Sequence, residues 1–167
     1  NHGLFLICGP TGCGKTTTLN ACIRELQDDF RKIVTIEDPV EYRFDGIVHI
    51  QVNETIGVSF SSLLKRVLRH DPDIIVIGEL RDQATAELAL RASLTGHLVL
   101  TSLHCYDTAA CERRLNNLGL SSRKIEEVLI AALAQRLPRK NCRNCLCSYK
   151  PSVDERERLA DTGFKTK

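Results

Sequence analysis

The sequence predicts an α/β fold, a mostly parallel sheet with helices on both faces. Short runs that are apolar but for Thr35 recur at 4–8, 33–36, 74–77 and 98–100. Runs without polar alternation are strands buried on both faces. Segments with helical spacing stand between most of them, and that alternation is the pattern of parallel crossover units. A glycine-rich stretch at 9–14 joins the first apolar run to the first helical segment.

Each element has its own signal. Residues 4–8 (LFLIC) form the first strand, and 15–26 carry the first helix, rich in Thr at its start. Residues 33–36 are a second buried strand, with Pro39 closing off regular structure beyond it. Residues 46–52 (GIVHIQV) alternate, as a strand exposed on one face does. Ser59 or Ser61 caps a helix whose Phe60, Leu63, Leu64, Val67 and Leu68 recur at helical spacing. Asp71-Pro72 breaks it, and 73–77 form a third buried strand. Asp82 caps an Ala/Leu-rich helix that ends before Gly96, and residues 98–101 are a fourth strand. A helix over 107–118 closes at Gly119. A further helix opens at Ser121-Ser122, carries Ile125, Val128, Leu129, Ala132 and Leu133 on one face, and ends at Pro138. Beyond this the chain is basic and Cys-rich, then polar. The expected organisation is a core over 1–140 and a partial Cys-rich segment over 141–167.

Composition narrows the function classes. With 43% apolar and 26% charged residues in 167 positions, the chain is long and apolar enough for one sizeable core. Twenty-three Lys and Arg against 21 Asp and Glu leave a net charge of +2. That balance gives no electrostatic footprint for nucleic acid, and no direct nucleic-acid binding is expected. No apolar run approaches the ~18 residues of a membrane helix. The sequence contains no Met and opens directly on an apolar run, so a piece of a longer protein is expected. Of its eight cysteines, Cys8, Cys13, Cys22, Cys105 and Cys111 fall within the core pattern and read as reduced thiols.

Residues 9–16 (GPTGCGKT) fit G-x-x-x-x-G-K-[ST] between a strand and a helix. Glycines there let successive backbone N–H groups face phosphate oxygens, and the helix adds its positive end. Lys15 reaches the β- and γ-phosphates of a nucleotide, and Thr16 offers its hydroxyl to Mg2+. Cys13, at a variable position of the motif, is a thiol open to oxidation or alkylation. Such a loop needs acids at the carboxyl edge of the sheet. Glu79, just past the third buried strand, is one candidate. Glu37 and Asp38, at the end of the second, are others, one of them orienting water or the metal. His104 follows the fourth strand at the same edge, and His97 precedes that strand. His49 and His70 read as structural.

Together these segments resemble the secretion ATPases of type II secretion and type IV pilus systems, in the wider traffic ATPase superfamily. Residues 9–19 resemble the family's Walker A motif, with Cys13 where Ser is usual. Residues 35–42 (TIEDPVEY) resemble its aspartate box, 71–82 (DPDIIVIGELRD) its Walker B motif and following Arg, and 96–107 (GHLVLTSLHCYD) its histidine box. Residues 134–137 (AQRL) match a further family phrase, and the likeness runs from His2 to about Cys147. It implies a RecA-like P-loop NTPase core that hydrolyses ATP with Mg2+. It implies nucleotide contacts at Gly9, Pro10, Thr11, Gly12, Cys13, Gly14, Lys15, Thr16 and Thr17, with Mg2+ at Thr16 and Glu79. Glu79 is implied to support hydrolysis, Glu37 to polarise water, His104 and its companion His97 to link nucleotide state to motion, and Arg81 to be the family arginine after Walker B. Arginines from an N-terminal domain complete the site in the family.

The resemblance further implies a homo-hexamer at the cytoplasmic face of the bacterial inner membrane. It would work with secretion or pilus platform proteins to assemble pilin-like subunits. A competence or DNA-uptake motor and a nucleotide-binding regulator with little turnover are the alternatives. Cys105 and Tyr106 depart from the usual Thr and Asn, and Pro138 and Lys140 interrupt the usual arginine-rich phrase. Cys142-x-x-Cys145 resembles the first half of the four-cysteine zinc module found in many members. Cys147 does not complete a second pair, so Cys142 and Cys145 are expected as a partial zinc site here, with bound Zn2+ expected in the full-length parent.

Overall fold

The computed structural model describes residues 2–161. The chain divides into two compact units, one up to Leu137 and one from Pro138 onward. The first contains β1 (Gly3–Cys8), α1 (Lys15–Leu26), β2 (Ile33–Glu37), β3 (Val48–Gln51), α2 (Phe60–Val67), β4 (Ile74–Ile77), α3 (Gln83–Leu94), β5 (Leu98–Leu103), α4 (Thr108–Asn117), α5 (Ser122–Val128) and β6 (Leu129–Ala134). The six strands form one sheet in the order β3-β2-β4-β5-β1-β6, and every pairing is parallel.

The buried strands are apolar on both sides because both faces are covered. On one face α1 seats Leu19 and Ile23 against Ile7, Ile33, Ile74, Val76 and Leu100. On the other, α2 and α3 bury Leu64, Val67, Ala86 and Leu90 against Leu6, Ile36, Ile75, Ile77 and Val99. Taking a Leu or Ile fully out of water contributes about 1.5–3 kcal/mol. Two such layers therefore hold the strand ends rigidly. Caps fix where the helices begin: the Ser59 hydroxyl accepts from Ser62 N–H, and the Asp82 carboxylate accepts from Thr85 N–H at 2.8 Å.

Two elements depart from the sequence expectation. The helix expected to run from Ser121 to Pro138 stops at Val128, and residues 129–134 are β6. Their Leu/Ala pattern is compatible with helix, but β1 offers an unpaired edge. Backbone pairing there, from Leu4↔Leu129 to Cys8↔Ala134, outweighs the local preference. The second departure is in the unit beyond Leu137, where α6 (Val153–Asp161) forms in a stretch read only as polar. Ser152 and Glu155 cap it reciprocally, Glu155 N–H to Ser152 Oγ at 3.3 Å and Ser152 N–H to Glu155 Oε2 at 2.8 Å. No helix among the described residues is long and apolar enough to cross a membrane.

Candidate functional site

In a parallel sheet every strand ends at the same edge. The carboxyl ends of β1, β2, β4 and β5 bring the glycine-rich loop, Glu37, Glu79 and His104 around one cavity of about 510 Å3. Thr11, Gly12, Thr16 and Thr17 also line it.

The loop leaves β1 and enters α1 through Gly14, whose φ of +87° is a left-handed conformation that other residues resist. At Gly9 the constraint is space, since a Cβ would fall 2.4 Å from Cys13 Sγ and 2.6 Å from the Gln135 carbonyl oxygen. Lys15 is 9% exposed, and its Nζ donates to the Gly9 and Pro10 carbonyls at 3.0 and 3.1 Å, inside the curve of the loop. The first turn of α1 holds no acidic residue, so no charge on the helix itself offsets the positive end that faces the cavity. Thr16 and Thr17 are exposed there. Cys13 is buried at 4% exposure, which shields the thiol expected to be open to alkylation.

Gln135 was matched in the sequence only as part of a family phrase, with no role attached. The structure uses it to fasten the loop. Its Nε2 donates to the Cys13 carbonyl at 2.7 Å, its Oε1 accepts from Thr18 Oγ1 at 2.6 Å, and its backbone N–H donates to the Cys8 carbonyl at 2.8 Å. Nearby, Arg136 donates to the carbonyls of Gln135 and Tyr106, linking the end of β6 to the loop after His104.

The acids at this edge are held in different ways. Glu79 pairs with Arg81 Nε and lies 3.2 Å from His104 Nε2. Arg81 also reaches Asp38 at 2.9 Å and lies over the Phe60 ring, 5.7 Å from its centroid. Partial burial alone would lower the Arg81 guanidinium, but hydrogen bonding and charge from Glu79, with Asp38, carry it above its ordinary value. Of the acidic pair left open by the sequence, Asp38 is thus engaged by Arg81. Glu37 is 7% exposed and turns into the sheet, where Thr35 and His49 hold it.

His97 is a correction. It lies at the amino end of β5, where its Nδ1 sits 3.0 Å from the Ala92 carbonyl. The six residues of β5 rise about 3.3 Å each, so roughly 20 Å separates it from the edge that carries His104. Within this chain His97 does not line the cavity, because flanking the same strand puts the two histidines at opposite edges of the sheet.

The histidine-box departure at Cys105 also has a structural account. The thiols of Cys8, Cys105 and Cys111 lie within 4.8 Å of one another, with Cys105 and Cys111 sulfurs 3.3 Å apart. Burial, then the neighbouring Cys105 and Cys8 thiols, pushes the Cys111 thiol up. The cluster packs the residue after His104 against the end of β1 and against α4. All eight cysteines are free thiols.

In the unit from Pro138 onward, Cys142, Cys145 and Cys147 are exposed. The backbone N–H of Asn144, then the Cys145 thiol and N–H, hold the Cys142 thiol below its ordinary range. Among the described residues these three sulfurs do not gather into a set of three. A closed zinc site takes four ligands, twice the number in the Cys142-x-x-Cys145 pair.

The family model described as "Type II/IV secretion system protein" matches residues 1–165. The chain is 50% identical over 146 residues to the competence protein ComGA of Bacillus subtilis, covering 87% of this chain and 41% of that protein. It is 43% identical over 156 residues to the type II secretion system ATPase E of Vibrio cholerae, covering 93% of this chain and 31% of that one. Among solved structures, the pilus retraction motor PilT with bound ADP superposes with a TM-score of 0.73 at 38% identity, over 81% of this chain and 42% of its own. The Legionella pneumophila ATPase DotB gives 0.72 at 34% identity, over 92% and 42%. The chain therefore spans less than half the length of these relatives. With a phosphate loop, two strand-end glutamates and a strand-end histidine around one cavity, and with the family match running nearly end to end, the chain belongs to the type II/IV secretion system protein family.

Proposed function

We propose that this chain is the catalytic core of a Mg2+-dependent ATPase that powers assembly of pilin-like subunits in a type II secretion or type IV pilus system. One observation carries the reading: the phosphate loop faces Glu79, Glu37 and His104 across a single cavity. Family membership, with relatives named as a secretion ATPase and a pilus motor, supports it.

The reaction is in-line transfer of the γ-phosphoryl group of ATP to water, giving ADP and phosphate. The loop N–H groups and the start of α1 take the phosphates, with Gly9 to Thr17 forming the cradle. Lys15 exchanges the Gly9 and Pro10 carbonyls for phosphate oxygens and neutralises charge developing in the transition state. Thr16 and Glu79 are oxygen ligands of the kind Mg2+ takes, and both line the cavity. The ion, when bound, supplies further neutralisation of phosphate charge. Glu37 orients the attacking water and accepts its proton. His104, in contact with Glu79, senses the γ-phosphate, and Arg81 ties Glu79 to Asp38.

The whole protein acts as a homo-hexamer at the cytoplasmic face of the bacterial inner membrane, against secretion or pilus platform proteins. Its Cys142 and Cys145 contribute half of a zinc site completed by other ligands. A competence or DNA-uptake motor is the second reading, favoured by the 50% identity to ComGA. Phosphate release from Mg-ATP, compared with Glu79→Gln, tests the catalytic proposal. Release that needs Mg2+ and is lost in the variant supports it. A chain that binds Mg-ATP and releases no phosphate would point instead to a regulator. The client is tested by deleting the gene and scoring protein secretion, pilus display and DNA uptake.

A further inference from the structure

We propose that His49 is a positioning residue for Glu37: it donates from Nδ1 to one carboxylate oxygen and leaves the other to the reacting water. This rests on the catalytic reading of Glu37 given above.

The placement follows from the sheet. β2 and β3 are parallel, with Thr35 opposite His49 and Glu37 opposite Gln51. Thr35 and Glu37 are two apart on one strand, so they share a face, and His49 joins them as the cross-strand partner. Thr35 Oγ1 donates to Glu37 Oε1 at 2.6 Å. His49 Nδ1 lies 3.0 Å from that same oxygen and 2.9 Å from Thr35 Oγ1. Among the described residues, the hydrogen bonds to the Glu37 side chain all fall on Oε1. That leaves Oε2 for the cavity that Glu37 lines.

The ring's other nitrogen sets the direction of these bonds. The loop after Pro39 folds back so that the Phe44 N–H donates to His49 Nε2 at 3.1 Å. A nitrogen that accepts carries no proton, so in the neutral ring the proton is on Nδ1 and points at Glu37. The imidazole has no room to turn. Its side chain is 2% exposed, the Phe44 ring packs on it at 5.8 Å between centroids, and Arg24 lies over that ring at 5.2 Å. A chain of contacts from α1 through Phe44 to His49 thus ends on a carboxylate that lines the cavity. His49 touches no reacting atom; it acts by fixing the rotamer of a residue that does.

The test compares His49→Leu with His49→Gln in this chain, each alone and with Glu37→Gln. Leucine fills the space without hydrogen bonds, whereas the glutamine amide offers both a donor and an acceptor. The expected result is a kcat for phosphate release lowered roughly tenfold or more by H49L, with KM changed less than about twofold. H49Q restores most of that rate, and neither substitution has a further effect once Glu37 is Gln. A wild-type rate in H49L, or an equal loss in the E37Q background, overturns the proposal. Imidazole 15N spectra of the unaltered chain give a readout that needs neither variant folding nor turnover. Protonated Nδ1 with unprotonated Nε2 is expected, and a proton on Nε2 overturns the proposal. Absence of phosphate release by the unaltered chain counts against the catalytic reading alone, and the spectrum then decides the placement of Glu37 by itself.

Discussion

The ends of β2 and β4 each deliver a glutamate to the same cavity, and the two are held in opposite ways. Glu37 is fixed from inside the sheet, by Thr35 on its own strand and by an imidazole 2% exposed. Glu79 is fixed from the loops, by Arg81 and His104, whose side chains are 46% and 50% exposed. The first arrangement forms when the sheet folds and cannot change without it. The second can exchange partners when a nucleotide or another surface arrives. One acid is therefore suited to constant water orientation and the other to reporting what occupies the cavity. The further difference that Glu79 shares Arg81 with Asp38 makes that strand end a small network rather than a pair.

The largest effect should come from Glu79→Gln. It removes the carboxylate proposed for the metal side and observed against His104, and phosphate release should fall on the order of a hundredfold or more with Mg-ATP still bound. Single-turnover assays beside binding measurements check this; retained turnover would break the contrast at its centre. Gln135→Ala comes next. Losing the hydrogen bonds at Oε1 and Nε2 frees the loop rather than the acids, and two bonds at about 1 kcal/mol each predict nucleotide affinity weaker by up to roughly thirtyfold. Arg81→Ala should be milder, because an exposed pair contributes only ~0.2–1 kcal/mol, and its effect on turnover should shrink as salt is raised. The loss in H49L, by contrast, should not depend on salt. Equal salt sensitivity at the two positions would erase the distinction between interior and loop.

The smallest effect applies the same contrast to the cysteines. Cys142 is exposed and its thiol is held low by backbone donors, so more of it is thiolate at neutral pH. Cys111 is buried among thiols and pushed up. Iodoacetamide at neutral pH should label Cys142 first and leave Cys111 untouched until the chain unfolds, as read by peptide mass mapping. Early labelling of Cys111 would mean that the packing behind His104 opens readily.

The buried strands were legible in the sequence because residues such as 74–77 have no polar face to confuse the period. The edge strand β6 was not. Ile130 and Leu133 remain exposed on it, and its Leu/Ala pattern resembles a helix until β1 is known to have a free edge. The α6 helix carried a readable signal, the Ser152 and Glu155 capping box, that a polar stretch concealed. In the site, strand-end position was enough to find Glu37, Glu79 and His104 near the phosphate loop. His97 entered through the resemblance instead: it precedes β5, and in a parallel sheet that position already assigns it to the edge opposite His104. Gln135 and His49 escaped for a different reason. Gln135 meets Thr18 across 117 positions, and His49 meets Glu37 only through the β2–β3 register. Such long-range pairings leave no local pattern to read.

The central claim is that this chain carries a working nucleotide site built on the phosphate loop. Calorimetric titration of the chain with ATP, with and without Mg2+ and beside Lys15→Ala, tests it most directly. The account predicts Mg2+-dependent binding that the Lys15→Ala chain loses while its circular dichroism is unchanged. A folded wild-type chain that takes up no Mg-ATP, or a Lys15→Ala chain that binds it equally well, would contradict the account.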